Sequence, residues 1–327
     1  MTKRKLIIDC DPGVDDAIAL AFATAHQEAF EILGITTVSG NLGIDVVTQN
    51  ALDLTGFYGL DVPVCQGMNG PMVREAVFAE KFHGETGLGY CVLPRSGRHA
   101  EEMHAVTFMR KTLMELPENE KLTIVALGPM TNLGVLLRFY PEVKEKIQEI
   151  VFMGGAACGG NVTPSAEFNI YVDPEAARIV FRSGIPLVMC GLDVTVDCGL
   201  SSTQIMKFCQ SEDAIAKACG DMTGYTLENT NCKYRGMVSV HDAVPFMYLL
   251  YPEMFKREKA ILDVDCSEGE SLGRTICDMR WWDKDPEEMH CLVLTGADKK
   301  KFQEQLITGI FQLGAEVDRA KNKRTEA

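Results

Sequence analysis

The sequence predicts a single α/β domain: an open, mostly parallel, Rossmann-like sheet with helices on both faces and its active site at the C-terminal strand ends. Three observations carry that prediction. Short apolar runs rich in β-branched residues alternate with amphipathic stretches, the pattern of strands joined by crossover helices. Some runs, such as Ile150-Val-Phe-Met153 and Leu187-Val-Met-Cys190, are apolar at every position, as strands buried on both faces are. Polar clusters fall where these strands stop, which is where open parallel sheets take their ligands.

In chain order, the first strand is predicted over Lys5–Asp9 and a helix over Asp15–Ala25, with Asp15 and Asp16 in a first turn whose dipole tolerates them. A strand over Ile32–Val38 and a helix over Ile44–Gly59 follow. The glycine-bearing stretch Ala76–His99 resists regular assignment and reads as a lid or binding loop. Next come a helix over Ala100–Leu116, a strand over Leu122–Leu127 that stops at Gly128-Pro129, and a strand over Glu149–Met153. Asp173-Pro174-Glu175 supplies an N-cap, a first-turn proline and an acid for a helix over Pro174–Ser183. A strand over Pro186–Leu192 precedes a second irregular stretch, Gly220–Val240. A helix over Asp298–Leu313 is the last element, and the polar residues 318–327 are expected to fray. No repeat, low-complexity tract or linker divides the chain, so residues 1–327 are read as one domain.

Composition narrows the function. Hydrophobic residues make up 46% and charged residues 24%, which suits a folded globular chain. Lys and Arg number 32 against 46 Asp and Glu, a net charge of −14 that repels nucleic acid and anionic membrane and leaves a small molecule as the expected partner. No signal-like stretch and no run of about 20 apolar residues is present, so the cytoplasm is the expected location. The 12 cysteines are scattered without a Cys-x-x-Cys pair and read as reduced thiols.

The chemistry concentrates in strand-end clusters. Asp9-Cys-Asp11-Pro-Gly-Val-Asp15-Asp16 places four acids in eight residues, and such a group repels itself unless a cation or protons compensate it. Capping and solvation explain one or two of these acids, but not four at one strand end. Val38-Ser-Gly-Asn41 is a good turn and by itself a weak signal. Leu127-Gly-Pro leaves a strand-end carbonyl free for a hard cation. Met153, Asn161 and Ala166-Glu167-Phe168-Asn169 together suit a hydroxylated ring. His83-Gly-Glu-Thr-Gly87 lies in the glycine-bearing loop, a setting suited to closing over a ligand, and Val240-His241-Asp242 heads an apolar helix. Trp281-Trp282 is not expected at the site; a subunit contact or partly buried surface is expected for it.

Taken together, these segments resemble the inosine–uridine-preferring nucleoside hydrolase family, in its order and at its approximate spacing from the first strand to about residue 250. The Asp-x-Asp-Pro-Gly-x-Asp-Asp element is the specific one. The resemblance implies hydrolysis of the N-glycosidic bond of ribonucleosides, in nucleoside salvage, by a homodimer or homotetramer. It implies Ca²⁺ held by Asp11, Asp16, Asp242 and the carbonyl of Leu127. Asp15, Asn41, Asn161, Glu167 and Asn169 would bind the ribose, with Met153 and Phe168 beside it. Asp11 would be the general base, His241 the acid or part of the relay at the leaving base, and His83 and Tyr225 the lining of the base pocket. One departure is Asn229, where the family often has a second tyrosine. A haloacid-dehalogenase-like phosphohydrolase also begins with a strand ending Asp-x-Asp, but Pro-Gly-Val-Asp-Asp is not its continuation. A non-catalytic nucleoside- or calcium-binding protein on the same fold is the other alternative.

Overall fold

The protein is described here by a computed structural model covering residues 3–325 other than 284, 286 and 287. Eleven strands are formed: β1 (Arg4–Cys10), β2 (Phe30–Thr37), β3 (Val64–Gln66), β4 (Leu122–Ala126), β5 (Ile147–Met153), β6 (Leu187–Cys190), β7 (Gly199–Ser201), β8 (Met237–Ser239), β9 (Phe255–Val264), β10 (Thr275–Asp278) and β11 (Cys291–Ala297). Nine of them build one sheet in the order β10-β9-β11-β6-β5-β4-β1-β2-β3. From β3 through β6 to β11 all neighbours are parallel; β9 and β10 add an antiparallel edge. The α/β expectation is met. Strand order reverses between β1 and β4, so a crevice opens beyond their carboxyl ends, the place where doubly wound sheets bind ligands.

The sheet is covered on both faces because successive side chains of a strand point to opposite sides. Leu6 and Ile8 of β1, Val125 of β4 and Val151 of β5 join one core cluster. Their neighbours Ile7, Ile124, Ile150 and Phe152 join the other. The first cluster is closed by the helix Val14–Ala25, which packs against Ala214–Asn229, Ala243–Leu250 and Lys299–Thr325. The second is closed by Ala105–Met114, Thr131–Phe139 and Pro174–Phe181. Asp173 caps that last helix as expected, accepting from the Ala176 amide at 3.0 Å.

Three expectations differ from the structure. Gly220–Val240 is not irregular: it holds the end of the helix Ala214–Asn229, the turn Cys232–Arg235 and β8. A Cβ at Gly220 would collide with the backbone of Cys209, so this glycine lets two helices approach closely. The C-terminal helix runs over Lys299–Thr325 rather than stopping at Leu313, continuing the apolar face Phe302, Leu306, Ile310, Leu313 and Val317 into residues expected to fray. The antiparallel strands β9 and β10 had no counterpart in the sequence reading. Trp282 is exposed away from the crevice, and the Trp281 side chain lies outside the described residues. Among the described residues no helix is long and apolar enough to cross a membrane.

Candidate active site

At the crevice between β1 and β4 lies a cavity of about 480 Å³, in the range of small-molecule sites. Its floor is the acidic segment that leaves β1. Asp11 is buried: its Oδ2 accepts from the Asn41 amide at 2.6 Å, and its Oδ1, also buried, has no hydrogen-bond partner. Gly40 and Gly128 hem in this carboxylate, since a Cβ on either would run into it. Asp16 accepts from the amides of Asp11 (3.3 Å) and Gly13 (3.0 Å) and from Asn41 Nδ2 (3.2 Å), which closes the helix start and fixes the segment's turn. Asp242, arriving from β8, brings a carboxylate to Asp15 and Asp16; one ligand oxygen of each lies within 4.8 Å of the other two.

Electrostatics follow from that crowding. Burial first, and then the charge of Asp16, pushes the carboxyl of Asp11 well up and that of Asp15 up to about 7. Asp242 is raised well above the usual range by burial and by Asp15, and Asp16 is raised by burial. An unpartnered buried carboxylate oxygen among four such acids is the pattern a hard cation resolves, and an all-oxygen donor set fits one. The Leu127 carbonyl lines the same cavity, and one of its two acceptor positions is taken by Asn169 Nδ2 at 2.7 Å. Asp9 stands apart. Its Oδ1 accepts from Thr36 Oγ1 (2.6 Å) and Asn132 Nδ2 (2.8 Å), and burial raises it to about 7.

The walls bring most of the other expected residues together. Asp15, Asn41, His83, Met153, Asn161, Glu167, Phe168, Asn169, His241 and Asp242 all line the cavity. Glu167 also caps its own short helix, Phe168–Val172, accepting from Asn169 and Ile170, and it accepts from the Gly155 amide at 2.9 Å. Asn161 Oδ1 accepts from the Phe168 amide at 2.9 Å, which ties the loop to that helix. His83 reaches in from the loop turn Glu80–His83; its Nδ1 accepts from the Val14 amide at 3.0 Å, and it lies over Gly13, where a Cβ would strike its ring. Burial lowers both His83 and His241 to about 4, helped by the nearby His241 in the first case and Arg235 in the second.

Tyr225 is not in the cavity wall, contrary to the expectation. Its ring rests on Gly84 and Gly89 of the loop, edge-on to Tyr90 at 5.1 Å. The next residue, about 100° around the helix, faces the cavity instead: Thr226 lines it and donates to the Phe82 carbonyl at 3.0 Å. Asn229 likewise serves the loop, donating to Tyr90 Oη at 2.8 Å. Sequence reasoning also missed Thr195, whose hydroxyl pairs with His241 Nδ1 at 2.8 Å, along with the apolar wall of Phe78, Phe82 and Val196 and the cation Arg235. No spacing in the sequence signals Thr195; it sits 46 residues from its partner.

Comparison with known proteins agrees with this geometry. Residues 6–304 match the family described as inosine-uridine preferring nucleoside hydrolase. The pyrimidine-specific ribonucleoside hydrolase RihB of Escherichia coli (strain K12 / DH10B) is 42% identical over 280 residues, 85% of this chain and 88% of that protein. Among solved structures, the purine-preferring ribonucleoside hydrolase from Gardnerella vaginalis superposes with a TM-score of 0.87 at 33% identity, over 95% of this chain and 99% of that one. An inosine-guanosine nucleoside hydrolase gives 0.84 at 28% identity, over 94% and 98% of the two chains. With the match running from β1 into the C-terminal helix, the chain belongs to the inosine-uridine preferring nucleoside hydrolase family.

Proposed function

We propose that the protein hydrolyses the N-glycosidic bond of ribonucleosides to ribose and free base, with pyrimidine nucleosides preferred and with Ca²⁺ as its cofactor. The observation that carries the reading is the acid cluster of Asp15, Asp16 and Asp242, with Asp15 and Asp242 lining the cavity and Asp11 buried beside Asp16. The pyrimidine preference rests on the 42% identity to a pyrimidine-specific relative, against 33% to a purine-preferring one. Nucleoside salvage is the corresponding role.

Asp11, Asp16, Asp242 and the Leu127 carbonyl would hold Ca²⁺, and the unpartnered Asp11 Oδ1 supports that assignment. When bound, the ion supplies an anchor for the ribose diol and acidifies water in its shell. The protein's own groups do the rest. Asp15, Asn41, Asn161, Glu167 and Asn169 bind the sugar, with Met153 and Phe168 against it, and so hold C1′ in register with the attacking water, an effect that lowers the barrier by several kcal/mol. Asp11 accepts the proton of that water. Cleavage leaves positive charge on C1′ and the ring oxygen, and the surrounding carboxylates stabilise it. His241, neutral at pH 7 in the free protein, meets the departing base with a ring N–H, and Thr195 sets the ring's orientation. His83 closes that end from the loop.

The test is incubation with uridine, cytidine, inosine and guanosine, followed by assay of free ribose. Ribose release, fastest from the pyrimidine nucleosides, is expected. Turnover of p-nitrophenyl phosphate without ribose release from any nucleoside would refute the hydrolase reading.

A further inference from the structure

The base end of the cavity carries a positive charge that the reaction as described does not use. Arg235 closes the turn Cys232–Arg235, and the left-handed Gly236 (φ +63°) that follows sends the chain into β8 and on to His241 and Asp242. Its guanidinium donates through Nη2 to the Val196 carbonyl at 3.1 Å, and Ser239 Oγ donates to the same oxygen at 2.8 Å. That carbonyl follows Thr195, the partner of His241 Nδ1. One helix end, Leu192–Thr195 with Val196, therefore fixes the imidazole and the guanidinium together on the cavity wall. A guanidinium has five N–H donors and a permanent charge; the Val196 carbonyl takes one donor, and Arg235 forms no ion pair among the described residues.

We propose that Arg235 is a catalytic residue for departure of the base: it holds the negative charge that collects on the base oxygens as the glycosidic bond breaks. This rests on the nucleoside-hydrolase reading and deepens it. When the C1′–N1 bond of uridine breaks, its electron pair goes to N1 and spreads onto O2 and O4. Water supplies the new C1′–O bond and gives its proton to Asp11, and the base anion takes a proton afterwards. Arg235 loses no proton in this sequence. Its contribution is a permanent charge on the cavity wall, held in place by the Val196 carbonyl. Lys81 also lines the cavity, from the loop turn Glu80–His83, but among the described residues no hydrogen bond fixes it.

The experiment compares Arg235→Gln, Arg235→Lys and Lys81→Gln with wild type on uridine and on p-nitrophenyl β-D-ribofuranoside, whose leaving group needs no help. Arg235→Gln should lose about a hundredfold in kcat on uridine and stay within about threefold on the nitrophenyl riboside, which also reports that the variant is folded. Arg235→Lys should recover part of the uridine loss, since it returns the charge without the fork. Equal loss on both substrates, no loss on uridine, or a selective loss in Lys81→Gln instead would overturn the assignment. A wild type active on the nitrophenyl riboside and on nucleosides, with Arg235→Gln unchanged, overturns Arg235 alone. A wild type that releases ribose from neither substrate overturns the hydrolase reading and this inference with it.

Discussion

Asp9 lies in β1 and Asp11 just beyond its end, and the two have different surroundings. Asp9 turns to Thr36 and Asn132, two neutral donors that fasten it to β2 and to the helix after β4. Asp11, like Asp9, keeps one buried oxygen without a partner, but it does so beside the charges of Asp16 and Asp15. The acids after β1, Asn41 and His241-Asp242 were legible because each sits within a few residues of a strand end, and the Ala166–Asn169 segment because an acid, an amide and an aromatic stand side by side in it. Thr195 and Arg235 were not, since they act through contacts 39 to 46 residues away that no local pattern encodes. Tyr225 was misplaced because helix phase decides which of two adjacent residues faces the cavity, and the sequence of an unrecognised helix does not give that phase. At this scale Thr195→Val should lower kcat on uridine about fivefold, the effect of losing one hydrogen bond worth about 1 kcal/mol, with KM little changed. Unchanged kcat would remove the positioning role. A parallel fall in thermal stability would turn it into a packing role.

The helix Ala214–Asn229 shows how elements hide in a sequence. Its glycines lower its helical propensity by about 1 kcal/mol each relative to alanine. Packing reverses the judgement at one of them. Gly220 lies against the Phe208–Cys209 backbone with no room for a methyl group, whereas at Gly224 the nearest atom to an added Cβ is Cys209 Sγ at 3.7 Å. Gly220→Ala should therefore destabilise the fold by about 1–3 kcal/mol despite its better propensity, as over-packing does. Gly224→Ala should stabilise it by about 0.5–1 kcal/mol. Urea unfolding of the two variants decides the matter, and the same sign in both would show that the helix crossing is looser than described. The parallel core was readable because its strands are apolar on both faces. The strand β9, second from the sheet edge, begins Phe255-Lys-Arg-Glu-Lys with charges that face solvent and carries no such mark.

For the molecule as a whole, the acid cluster links metal, pH and stability. Asp11, Asp15, Asp16 and Asp242 have their folded carboxyls raised above the unfolded value, so in the metal-free protein their contribution to stability is fully present only below about pH 4. It is lost as pH rises through the folded values, about 7 for Asp15, with Asp11, Asp16 and Asp242 raised as well. His83 and His241 act in the opposite sense, but only between their unfolded value and about 4. A bound divalent cation removes the acids' repulsion and needs them ionised. Added Ca²⁺ should therefore raise Tm by about 5 °C at a hundredfold excess over Kd, and more at pH 8 than at pH 6.5. A calcium effect that is equal at both pH values, or absent, would place the cation elsewhere or nowhere.

Asp11 joins every part of the proposed mechanism, in which it would border the cation site, take the proton of the attacking water and stabilise the developing positive charge. Its replacement is the most direct test. Ribose release from uridine by Asp11→Ala, with the fold verified by circular dichroism, should fall by a factor of about a thousand or more. Turnover close to wild type would contradict the assignment of the base, and with it the claim that this acidic strand end is where the glycosidic bond is broken.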